Sequence, residues 1–337
     1  MGFIFTLALA ACGGDPDTGT TRPDDSGDDT GPVGDDTGVD TTEDCSTEAE
    51  AAVTAGIITS EYVTAGLPDS DFTSIQDALN QTPSGTAIFA CPNTYTLSSP
   101  LSVDRNDETV NFYGESSSSV IFDGGDSSQV LNVAEGTFLN VHSMAFTNGN
   151  AETGGAVQVE GIASFNQVAI TDSNSTYGGG IAVTSGGVVD VYDSSVTGNT
   201  SEYGGAFYVE GELSIDAGAT TTVSGNSATY GSAAYIEDGR FSQPKSGNGT
   251  INFTDNTSST ALFYLANNSY LSMITGSIYD NSSLYAIQLA GDNSEAVIDE
   301  HASLDGTDHI KIDSSGNTYT HTNGTKSNCD SESGTCG

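Results

Sequence analysis

Positive charge is almost missing from this chain. Its 337 residues carry six Lys and Arg against 46 Asp and Glu, a formal net charge of −40. Such a surface repels phosphate backbones, which excludes DNA and RNA as partners. Tryptophan is absent and proline is sparse, at eight residues. No apolar run is long enough to cross a bilayer as a helix. The four histidines, His142, His301, His309 and His321, stand at no metal-ligand spacing, and no nucleophile–base or phosphate-loop motif occurs. No cofactor, metal or catalytic residue is therefore assigned.

Glycine, by contrast, is plentiful at 41 residues, and much of it recurs in one phrase. It reads FTNGNAETGGAVQV at 146–159, ITDSNSTYGGGIAV at 170–183, VTGNTSEYGGAFYV at 196–209 and VSGNSATYGSAAYI at 223–236. Two shortened copies follow, from Phe253 and from Ile278. A fixed period of about 25 residues means stacked supersecondary units. Runs such as Val157-Gln158-Val159 and Phe207-Tyr208-Val209 alternate with period 2, the mark of a strand with one buried face. Only about 10 residues separate successive strands, too few for a helical crossover, so parallel pairing has to come from coiling.

The predicted fold is all-β, a right-handed parallel β-helix with three short strands in each coil of about 24–30 residues. From Thr86 to Tyr319 there is room for roughly nine or ten coils. The Gly-Gly pairs 154/155, 178/179 and 204/205 are expected at corners. Asn174, Asn199, Asn226, Asn256 and Asn281 suit left-handed corners and side-chain ladders.

The repeat resembles the GGA-I and F-x-x-N motifs of the chlamydial polymorphic outer-membrane protein family. More broadly it is similar to the right-handed β-helix, pectate-lyase-like superfamily. The likeness is close from Phe146 to Leu289 and implies the fold, not an activity, because that superfamily hosts lyases, hydrolases, adhesins and inert stalks. The polymorphic proteins are similar to autotransporters and end in a membrane barrel, whereas no alternating lipid-facing strands follow these repeats.

A solenoid must cover its ends. Asp71 to Asn80 reads as a short amphipathic helix, with Thr73 and Gln76 spaced as a capping box and Ile75, Ala78 and Leu79 facing the first coil. Upstream, residues 12–50 form an acidic Gly/Pro/Asp/Thr-rich tether that cannot bury enough surface to fold. Its Asp-Asp-Thr-Gly repeats lack the alternating ligand order of a calcium loop. Residues 1–11 read as a signal peptide, and Leu9-Ala10-Ala11-Cys12 resembles the bacterial lipobox. That resemblance implies lipidation at Cys12, and Gly13 carries no acidic inner-membrane retention signal. The expected address is the outer membrane, exposed at the cell surface.

Residues 51–70 serve as a lead-in, 71–325 as the β-helix with its cap helix and 326–337 as a cysteine-containing tail. Four further cysteines suit an oxidising compartment. Cys45 with Cys91 and Cys329 with Cys336 is the favoured pairing, one of three that four cysteines allow.

In-register stacking places Tyr208, Tyr235 and Tyr264 outward on successive coils, about 5 Å apart. Glu210 and Glu237 stand two positions beyond the first two, and Tyr177, Tyr203 and Tyr230 form a second column. Tyr208, Glu210, Tyr235, Glu237 and Tyr264 are the candidate glycan-binding face: flat rings for sugar C–H faces and acceptors for hydroxyls. The same columns also read as a ladder that only stabilises adjacent strands. The carboxylate pair falls near the separation of about 5 Å used by retaining glycosidases.

Lyases of this superfamily use Arg or Lys, but Arg22, Arg105, Arg240, Lys245, Lys311 and Lys326 do not recur in register. Only His309-Ile310-Lys311 echoes a polygalacturonase motif. The expectation is a non-enzymatic surface lipoprotein, a stalk or adhesin-like module meeting glycans or neighbouring cells. The alternative is a polysaccharide lyase or glycoside hydrolase on the same scaffold.

Overall fold

The structure, a computed structural model, describes residues 45–244, 249–304, 310–314 and 316–321. The chain is a parallel β-helix. One coil shows the plan: Ile181–Val183, then Val188–Tyr192 and Ser195–Thr197, then Thr200–Tyr203, then the Gly204-Gly205 corner leading to Phe207–Val209 on the next coil. Stacking builds a nine-stranded sheet, a wide sheet of 18 strands and a five-stranded sheet. Among the described residues every ladder within these sheets is parallel, as in Val157↔Ile181, Ile181↔Phe207 and Phe207↔Ala234.

That register is the one read from the repeat. Val157, Ile181, Phe207, Ala234, Phe263 and Ile287 all point inward and are fully buried. Their neighbours Gln158, Ala182, Tyr208, Tyr235, Tyr264 and Gln288 share the opposite face. Phe112, Phe122, Phe146 and Phe165 fill the interior of the first coils.

The corners explain the glycines. Gly204 sits at φ +74, and a Cβ there would lie 2.0 Å from the Phe207 carbonyl oxygen. The asparagines do form a ladder, with one correction. The left-handed residues are Gly198, Gly225, Asp255 and Asp280, each just before its asparagine, and Asp172, just before Ser173. Asn199, Asn226 and Asn256 are fully buried, and each Nδ2 donates to the next Oδ1 at 3.0 Å, ending on Asn281. Asn174 lies outside the ladder; Ser173 holds its rung, its N–H donating to Asn199 Oδ1.

Two helices close the N-terminal end. Helix α1, Ser46–Thr54, was not expected and begins inside the stretch read as tether. A disulfide joins Cys45 to Cys91, and Ala49, Ala52, Ile58 and Phe89 form a small core beneath the helix. This is one of the two pairings expected; Cys12, Cys329 and Cys336 lie outside the described residues.

Helix α2, Ile75–Gln81, is the expected cap, with Ile75, Ala78 and Leu79 buried. Its N-cap is Ser74, which accepts from the Asp77 N–H, not the Thr73/Gln76 pair. Gln76 instead spends its amide on the open sheet edge. Its Nε2 donates to Ser102 O at 2.7 Å and its Oε1 accepts from Ser102 N at 2.8 Å, as a further strand would.

Arg105 holds the other end of α2, donating to Leu79 O and Thr82 O at 3.0 Å each while pairing with Glu108. Arg105→Met should therefore loosen the cap by about 1.5–3 kcal/mol, the usual worth of charge-assisted bonds. Hydrogen exchange should quicken in α2 and the Leu101–Val103 strand while coils beyond Ile181 keep their protection. Unchanged protection at α2 would refute the assignment.

Candidate functional site

The six tyrosines form one lattice. Tyr177, Tyr203 and Tyr230 end strands of the five-stranded sheet and stand in register, as do Tyr208, Tyr235 and Tyr264 on the nine-stranded sheet. Within the first column the rings stack at 5.3 and 5.2 Å, and within the second at 5.7 and 5.2 Å. The glycine corner after each outer tyrosine swings the chain so that its ring meets the inner column one coil on. Tyr177 meets Tyr208, Tyr203 meets Tyr235 and Tyr230 meets Tyr264, all edge-to-face at 5.1–5.3 Å. Stacked and edge-to-face contacts are the two arrangements an aromatic quadrupole favours.

This packing limits what the face can offer a sugar. Tyr208 is 6 % exposed and Tyr235 9 % exposed, although both point away from the core. Tyr235 and Tyr203 have rings stacked on both sides, so neither presents an open face. Glu210 and Glu237 are turned onto the lattice as well: Tyr208 Oη lies 3.0 Å from Glu210 Oε1 and 3.3 Å from Glu237 Oε2. Tyr264 is half-buried. The five residues of the candidate face come together as expected, but as a closed arrangement.

Burial raises the Tyr208 phenol far above the ordinary tyrosine range, and the Glu210 and Glu237 charges add to it. Tyr235 is raised by burial and then by Glu237, and Tyr264 by burial and then by Asp313. A raised folded pKa for a group that ionises to an anion means stability that is intact below the unfolded value of about 10 and lost as pH climbs above it. Alkaline melts should fall steeply from about pH 10. Tyr208→Phe should flatten that fall, and an unchanged pH profile would contradict the account.

A second arrangement, on the outer face of the wide sheet, was not read from the sequence. Asn111, Asn140, Ser164, Asp190, Ser214, Ser242 and Ser272 stand in one register column. Beside it run Tyr113, His142, Asn166, Tyr192 and Asp216. On the other flank are Phe138 and Ile162, exposed at 41 % and 39 %, followed by Val188.

A groove of about 410 Å³ opens here, lined by Ser164, Asn166, Asp190, Tyr192, Ser214, Asp216 and Pro244. Burial lifts the Asp190 carboxyl above its ordinary range, against a hydrogen bond with Ser214 that lowers it. Asp190 and Asp216 are diagonal neighbours, roughly 7–8 Å apart at the backbone. The column changes residue type at nearly every rung, so no repeated letter marks it. Register alignment of the strands after each glycine turn would have found it.

Of the described cations, Arg240 stands on this face, following Val188 and Glu212 along the flank, whereas Arg105 and Lys311 lie elsewhere. Arg105 holds the cap, Arg240 lies 4.3 Å over the Tyr270 ring, and Lys311 pairs with Asp313 at 2.9 Å. Among the described residues no group of three or more His, Cys, Asp or Glu is placed to hold a metal ion.

No protein-family model and no curated protein sequence matches the chain. Among solved structures it is similar to a pectin methylesterase from Aspergillus niger in a penultimately deglycosylated form. The TM-score is 0.43 at 15% identity, covering 78% of this chain and 84% of that one. It is also similar to the pectin methylesterase from carrot, at a TM-score of 0.36 and 12% identity, covering 78% and 83%. At these scores the likeness carries no argument about this chain.

Proposed function

We propose that this chain is a surface-displayed rod that binds extended glycans along the outer face of its wide sheet, held to the outer membrane by a lipid on Cys12. The observation that supports it is the polar column from Asn111 to Ser272, flanked by exposed Phe138 and Ile162 on one side and by Tyr113 and Tyr192 on the other. Rungs repeat at about 4.8 Å, so a polymer lying along the rod meets hydrogen-bonding groups at a regular interval, with apolar side chains beside them at Phe138, Ile162, Tyr113 and Tyr192. A net charge of −40 selects neutral or cationic polymers over pectin-like polyanions.

A second reading, a glycoside hydrolase, draws on Asp190 and Asp216. A carboxyl whose protonated form is favoured by burial, beside a second carboxylate, pairs a candidate general acid with a candidate general base, the two groups glycoside hydrolysis uses. One screen separates the two: binding to and hydrolysis of a panel of neutral, cationic and anionic polysaccharides by the mature protein. Binding without products, lost in Tyr192→Ala and Phe138→Ser but kept in Tyr235→Phe, supports the rod. Products that vanish in Asp190→Asn establish the enzyme instead. For the anchor, the mature N-terminal peptide should carry lipid on Cys12, and Cys12→Ser should release the protein from the membrane fraction.

A further inference from the structure

The chain is poor in oxidisable side chains other than tyrosine. It has no tryptophan and three methionines, of which Met144 and Met273 are fully buried. Cys45 and Cys91 are already joined. The half-exposed tyrosines of the outer column, Tyr177, Tyr203 and Tyr230, are thus among the readily oxidised groups that a dissolved oxidant can touch. What sets these three apart is that they stack on one another, with planes 12° and 8° from parallel. Away from the lattice the tyrosine rings keep other company: Tyr95 stacks on Phe122, Tyr113 meets His142, and Tyr270 lies under Arg240.

We infer that this lattice is an oxidation-responsive site, at which one-electron oxidants cross-link tyrosines of neighbouring coils. The oxidant class is a one-electron acceptor, such as a metal-centred or sulfate radical species. Tyr203 gives up one electron to it and its phenolic proton to water, leaving a phenoxyl radical. A second equivalent does the same at Tyr177 or Tyr230. The two radicals join through the ring carbons ortho to oxygen, forming one carbon–carbon bond. Each ortho hydrogen then moves as a proton to its own oxygen, restoring both phenols. The pair has lost two electrons and two protons in all, and the two oxidant equivalents are reduced.

The inner column extends the site. Tyr208 and Tyr235 touch the outer rings edge-on, so an oxidised outer ring can be refilled from within. When Tyr208 gives up an electron, its phenolic proton can pass to Glu210 or Glu237, to which its Oη is already hydrogen-bonded. Each cross-link would bind one coil to the next, along the direction in which a solenoid is otherwise held only by its ladders.

The test uses the mature protein, dilute enough to exclude collisional cross-links, illuminated with a ruthenium tris-bipyridine complex and persulfate. Dityrosine fluorescence should rise in the monomer with a mass lower by two hydrogens. Digestion with an acid-residue-specific protease should join the peptide of Tyr203 to that of Tyr177 or Tyr230. Tyr203→Phe, which keeps the stack and removes the phenol, should lower the yield several-fold with far-ultraviolet dichroism unchanged. Tyr113→Phe and Tyr270→Phe should leave it as it was. Cross-links found only between molecules, spread over tyrosines outside the lattice, or undiminished in Tyr203→Phe would overturn the inference.

Discussion

Asn226→Asp should unfold the centre of the rod more effectively than any surface change. The Asn226 amide is fully engaged in a site with no exposure. Its Nδ2 donates to Val196 O at 2.9 Å and Asn256 Oδ1 at 3.0 Å, and its Oδ1 accepts from the backbone N–H and the Nδ2 of Asn199 at 3.0 Å each. That uses both donors and both lone pairs of the side chain. A carboxylate would set its second oxygen against two acceptors and carry a charge into the core. The cost should be on the order of 3–5 kcal/mol, from several buried groups left unpaired at about 1–3 kcal/mol each. Thermal melting should show it directly. A loss below 1 kcal/mol would mean that water replaces the ladder.

Gly204→Ala should act at the neighbouring corner. Its φ of +74 is costly for any residue with a Cβ, and the added atom would fall 2.0 Å from Phe207 O and 2.5 Å from the Phe207 carbonyl carbon. Both are backbone atoms of the strand that carries Phe207 into the core, so relief requires that strand to shift. Left-handed strain of about 1–2 kcal/mol plus the displacement predicts a total of roughly 3 kcal/mol or more. Gly186→Ala is the control: its φ of +86 is as unfavourable, but nothing stands within 4 Å of the added Cβ. Equal losses at the two positions would show that the close approach contributes nothing. Because each coil touches only its neighbours, both defects should split the rod into segments that melt apart.

Much of this architecture was legible as text because a solenoid turns sequence period into spatial contact. Residues one coil apart touch, so the repeat told which residues pair: Phe207 with Ala234, Tyr208 with Tyr235 and Tyr203 with Tyr230. Alternation told which of them point inward. The Asn199–Asn226–Asn256–Asn281 ladder was visible for the same reason, and Asn174 was misplaced because its copy puts Ser173 at that rung. Where local chemistry competed, the sequence was ambiguous. Ser74 and Thr73 both suit an N-cap, and the choice fell to Ser74 because Gln76 is held by the Ser102 backbone.

What period and alternation determined, then, was the β-helix, its register, its buried columns and the outward side of Tyr208 and Tyr235. Only the tertiary structure decided whether that side is open. Tyr177 covers Tyr208, and Tyr203 covers Tyr235, through contacts set by the angle of the glycine corner between two sheets. The wide-sheet groove likewise joins strand residues such as Asp190 and Ser214 to Pro244, which lies after a later strand. A repeat encodes the contacts along the rod axis, whereas the contacts across a corner depend on backbone angles that the repeat leaves unstated.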